Sequence, residues 1–93
     1  MNSKKLKKVR NQIDLIDTRL LALVKIRTEL VKKVIKIKKF KKQIVDKKRI
    51  RSVLINIKRK SIKKKIDPKI TKKIWTSMIN SYIDYEKREF KKK

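Results

Sequence analysis

The chain has no cysteine, no histidine and no glycine, one proline, and five aromatic residues in 93. Without cysteine there is no disulfide and no thiol nucleophile. Without histidine there is no imidazole acid–base chemistry, and the usual zinc ligand sets are excluded. Without glycine there is no glycine-rich cradle for phosphate. The expectation is a site that uses no metal and no cofactor. No stretch of about 18 apolar residues occurs, so no membrane-spanning helix is expected. The opening "MNSKKLKK" is basic, but no apolar block of a secretory signal follows. The sequence therefore reads as a cytoplasmic protein with no membrane partner.

Acid is also scarce. Lys and Arg number 33 against 8 Asp and Glu, a formal net charge of +25. Such a chain attracts polyanions in general. The excess is mostly lysine, however, 26 residues against 7 arginines, and it runs along the whole chain instead of forming one block. The chain is also rich in isoleucine and poor in alanine. A codon bias toward A and T would produce this pattern without any binding role. The reading favours a solvated surface over a nucleic-acid footprint.

With no glycine and one proline, helix is the default. Apolar residues recur at Val9, Ile13, Ile16, Leu20 and Leu23, then at Leu30, Val34 and Ile37. This spacing predicts a first helix over Lys4 to Lys39, about 50 Å long at 1.5 Å per residue. A break is expected around "FKKQIVD". Asp46 is the N-cap of a second helix over Lys47 to Lys64, with Ile50, Val53, Leu54 and Ile57 on one side. "KIDPKIT" restarts the chain, with Asp67 as N-cap and Pro68 at the first helical position. The third helix runs over 68–88, its buried side marked by Ile70, Ile74, Trp75, Met78, Ile79, Tyr82 and Phe90. A basic tail, 89–93, frays. The fold class is all-α, one domain of three helices. The first helix is too long for the other two to cover, which suggests an intertwined homodimeric bundle.

Polar residues intrude on these apolar faces. Position 27 completes the first seam, and it is Arg27; a buried unpaired guanidinium is very costly. Lys38 lies eleven residues on, about 20° from the same line at 100° per residue. Two cations on one face repel unless an anion lies between them. Glu86 falls in the stripe of the third helix, where desolvation disfavours a charged carboxyl. Arg49, one turn before Val53, can lean inward. Arg10 is about 100° off the Arg27 line, away from the same pocket in its own subunit, but in a dimer it could reach the partner's pocket. Each has a bland account. Arg27 could snorkel from a helix edge, Glu86 could pair with a lysine, and the others could be surface residues. Together they describe a solvent-poor cavity lined by cations and one acid, suited to a small dianion.

These residues resemble those of the all-helical chorismate mutases. "VRNQIDLIDTRLLALVKIRTELVKKVIKIK" resembles that family's first helix, "DKKRIRSVL" the start of its second, and "IDPKITKKIWTSMINSYIDYE" its loop and third helix. The likeness covers positions 6 to 86. It implies a domain-swapped dimer of three-helix subunits with two buried sites that bind chorismate. Arg27, Arg49 and Arg10 from the other subunit would hold carboxylates, for which the planar guanidinium fork is suited. Lys38 would hold a carboxylate and the ether oxygen. Asp46 would help place the ring hydroxyl, and Glu86 would be the second donor to the ether oxygen. Two departures stand out. Ile50 replaces a glutamate that often follows the second-helix arginine. Tyr82 stands where a smaller polar residue often occurs. The apolar residue after Arg49 and the pair Tyr82–Ile83 also resemble isochorismate-pyruvate lyases, a branch of the same fold.

The implied reaction is the intramolecular [3,3] rearrangement of chorismate to prephenate, a step of aromatic amino acid biosynthesis. It needs no nucleophile, metal or general base. A lyase on the same fold, a small basic nucleic-acid binder and a catalytically dead dimer are the alternatives. The nucleic-acid reading ranks low, because aromatics are few and no recognition motif is present. It would require affinity that falls steeply with salt and is indifferent to Arg27→Ala.

Overall fold

The computed structural model describes residues 2–91. Among these residues the protein is all-α, with no strand. It has a long helix α1 (Ser3–Ile37), a one-turn 3₁₀ helix (Lys41–Gln43), α2 (Lys47–Lys63) and α3 (Pro68–Glu89). No helix among them is long and apolar enough to cross a membrane. Of the expected basic tail, residues 92 and 93 lie outside the described residues. The chain forms two compact units, one ending at Lys33 and the other beginning at Val34.

The first unit is α-helical from Ser3 onward. The apolar seam read from the sequence is exposed here: Val9, Ile13, Ile16, Leu20, Leu23 and Leu30 are all at least 49% accessible. Two threonines satisfy their hydroxyls locally. Thr18 Oγ1 donates to the Asp14 carbonyl at 3.2 Å, and Thr28 Oγ1 to the Val24 carbonyl at 2.8 Å. This back-bonding lets a β-branched polar residue sit inside a helix. The exposed Glu29–Lys32 pair at 3.2 Å adds little, as surface pairs do.

In the second unit α2 and α3 pack against each other. Both begin as the sequence predicts. Asp46 Oδ1 accepts from the Arg49 N–H at 3.0 Å and caps α2; Asp67 Oδ1 accepts from the Lys69 N–H at 2.9 Å and caps α3, with Pro68 in its first turn. The first helix stops at Ile37, two residues before the expected Lys39. Ile50, Val53, Leu54 and Ile57 are half-buried. Ile70 and Ile74, expected inside, are exposed. The inward line at the start of α3 is turned by one residue and runs through Pro68, Thr71 and Trp75.

Thr71 takes that place because α2 offers it a partner. Ser61 Oγ lies 2.7 Å from Thr71 Oγ1, and Ser61 also donates to the Ile57 carbonyl at 2.6 Å. Both residues are buried, so the two hydroxyls close a polar clasp where unpaired groups would be penalised. Just beyond it α2 ends in a Schellman turn. The Ile66 N–H reaches back to the Ser61 carbonyl at 2.9 Å, and the Lys65 N–H to the Ile62 carbonyl at 3.1 Å. That turn needs a left-handed residue, usually glycine. Here it is Lys65, with φ 60°.

Two stability changes are expected in urea unfolding. Lys65→Gly should raise stability by about 0.5–1 kcal/mol, because it relieves the Cβ cost of the left-handed conformation. Ser61→Ala should lower it by about 1 kcal/mol, leaving Thr71 without its partner across the helices.

Candidate active site

The second unit holds five of the residues singled out in the sequence: Lys38, Asp46, Arg49, Tyr82 and Glu86. Arg10 and Arg27 belong to the first. Lys38 is the first residue past α1, and its N–H still bonds the Val34 carbonyl at 3.0 Å. Its side chain therefore leaves from the last turn of α1 toward the last turns of α3. There Nζ donates to Glu86 Oε1 at 3.3 Å. The Lys38 side chain is 19% exposed and that of Glu86 10%. The bland account of Glu86, a lysine partner, and the functional one thus meet in the same residue. At 3.3 Å the contact is longer than the roughly 2.7–2.9 Å usual for an ammonium–carboxylate bond.

Tyr82 is half-buried one turn before Glu86 on α3, so the two share a face. Asp46 and Arg49 are brought together through the α2 cap, where the Arg49 backbone N–H is engaged. The Arg49 side chain, which the spacing allows to lean inward, is exposed; it stands in α2's first turn, where residues 47–49 are all exposed. Arg27 is half-buried, whereas Arg10 is exposed. Ile50 is half-buried and apolar, directly after Arg49.

Two features of this unit were not anticipated. Gln43 Oε1 accepts from two successive backbone groups, the N–H of Lys39 at 2.8 Å and of Phe40 at 2.9 Å. Only a glutamine interrupting a run of lysines could have signalled it. A cavity of about 380 Å³ also opens between α2 and α3, lined by Arg51, Leu54, Ile55, Pro68, Lys69 and Lys72 among others. None of the residues singled out above lines it, so it is not where Lys38 and Glu86 meet.

What the Lys38–Glu86 pair can do follows from its chemistry. The Lys38 ammonium and the Glu86 carboxyl, both largely shielded from water, meet in one contact, and the ammonium has two further hydrogens with which to bind a ligand oxygen. The pair also ties α1's end to α3. Lys38→Met, which strands a buried carboxylate, should cost about 1–2 kcal/mol of stability, a figure reduced for the residual exposure of Lys38. Adding Glu86→Leu should restore most of it, which a double-mutant cycle in urea would measure.

The match to known proteins bears on the same residues. Residues 9–87 match the family model described as chorismate mutase type II. No curated protein and no solved structure matches the chain significantly. The matched span holds Arg10, Arg27, Lys38, Asp46, Arg49, Tyr82 and Glu86, and it covers most of the 93 residues. The chain belongs to the chorismate mutase type II family.

Proposed function

We propose that the protein is a chorismate mutase that rearranges chorismate to prephenate. The observation that carries this reading is the shielded Lys38–Glu86 pair inside a chain of this family. In the rearrangement the ether C–O bond breaks as a C–C bond forms, with no proton gained or lost. The enzyme has two tasks: to hold the folded conformer in which the two ends meet, and to stabilise negative charge growing on the ether oxygen. Lys38 Nζ and Glu86 are the donors for the second task. Arg27 and Arg49, with Arg10 of the partner subunit, hold the two carboxylates, and Asp46 helps place the ring hydroxyl.

Glu86 can donate only when protonated. In the free chain it accepts from Lys38. The dimer is supported by the apolar seam of α1, exposed over several turns; exposed apolar patches of that extent mark interaction surfaces. The lyase reading is favoured by Ile50, which puts no carboxylate at the position following Arg49, and by Tyr82.

The test is the loss of chorismate absorbance with purified protein. Wild type should turn over, and Lys38→Ala should lose about 100-fold or more in kcat. Glu86→Gln, whose amide donates without needing a proton, should keep turnover, and Glu86→Ala should lose it. Equal loss in Glu86→Gln and Glu86→Ala would sink the donor role. Pyruvate release from isochorismate, with no prephenate from chorismate, would place the protein in the lyase branch. Sedimentation should give twice the 11.3 kDa chain mass, and a single-chain mass would remove Arg10 from the site.

A further inference from the structure

We infer that Gln43 is a positioning residue for Lys38, holding the backbone from which the ammonium reaches the site. The inference rests on the reading of Lys38 as an ether-oxygen donor. Lys38 stands where α1 gives way to irregular chain. Its own N–H is the last to be satisfied by α1, through the Val34 carbonyl. The next two N–H groups, of Lys39 and Phe40, would belong to Ile35 and Lys36 carbonyls if the helix went on. Instead both turn to one atom, Gln43 Oε1, at 2.8 and 2.9 Å. The 3₁₀ turn then closes on itself. The Gln43 N–H donates to the Phe40 carbonyl at 3.0 Å and the Ile44 N–H to the Lys41 carbonyl at 3.1 Å. Ile44, 3% exposed, anchors the turn in the core. Lys38 is thus held by the helix on one side and by a side-chain acceptor on the other.

The residue type fits this task. Lys41 and Lys42, its neighbours, have no acceptor to offer. The chain has no glycine with which to turn sharply. A Lys side chain has four rotatable bonds, so fixing its backbone is what limits where Nζ can go. Gln43 reaches back across the turn as the third-position residue of a capping box does, without touching Glu86 or the site. Its carbonyl oxygen serves both bonds, so a carboxylate at the same place should serve as well.

The experiment compares wild type with Gln43→Leu, which removes the acceptor at similar size, and Gln43→Glu, which keeps it. In Gln43→Leu, kcat for chorismate should fall about tenfold with the thermal midpoint little changed, and Gln43→Glu should stay within about twofold of wild type. Amide exchange at Lys39 and Phe40 should speed up in Gln43→Leu alone. The nuclear magnetic resonance signal of the Lys38 ammonium should shift in Gln43→Leu and return in Gln43→Glu. Wild-type kcat in Gln43→Leu, equal loss in both variants, or loss that accompanies melting of the fold would overturn the inference. If wild type leaves chorismate untouched, the mutase reading falls by itself. The resonance arm then decides: an unmoved Lys38 signal in Gln43→Leu overturns positioning, and a shift that Gln43→Glu reverses upholds it.

Discussion

A cation and an acid, 48 residues apart in sequence, are held together away from water at 3.3 Å. Much of the second unit serves that contact. Lys38 leaves from the end of α1, which stops at Ile37. For Glu86 to lie inside, α3 has to continue past it, and it runs to Glu89 before Phe90 ends it. An apolar pair would have packed at less desolvation cost, since buried ion pairs seldom exceed hydrophobic replacements in stability. Under the proposed function, a fold that keeps such a pair gains chemistry and not strength. That is the physical sense in which this contact reads as a site.

The rest of the unit is a set of answers to one compositional problem, how to bound helices without glycine. Asp46 and Asp67 start α2 and α3 with side-chain caps. Gln43 supplies an acceptor after α1. Among the described residues, only at the end of α2 is a left-handed residue used, and there Lys65 accepts the strain. The Ser61–Thr71 clasp lies one turn inside that strained corner. It fixes α2 against α3 where a poor turn would otherwise let them part.

Much of this was legible in the sequence because its causes are local. A cap needs an Asp just before an apolar period, and both Asp46 and Asp67 were readable on that ground. An acid in an apolar stripe, Glu86, declared itself by being out of place, and it is buried. What escaped depends on contacts across the chain. Thr71 displaces Ile70 and Ile74 from the inward line only because Ser61 lies opposite. Gln43 lies in the stretch where a break is expected, but nothing local marks its side chain as the acceptor for the two N–H groups that α1 leaves behind. The roles of Arg10, Arg27 and Arg49 came from resemblance; spacing alone placed Arg27 on the seam, where it is half-buried.

The apolar seam of α1 belongs to a chain with 25 surplus positive charges. A second copy that covers the seam does so against its own twin's field. The attraction is short-ranged and indifferent to ions. The opposition is coulombic, and dissolved electrolyte damps it over about 8 Å at physiological strength. Were two copies to pair through this seam, added salt would tighten the pairing, the opposite sign from any grip on a polyanion, and brine itself would be an ally of assembly.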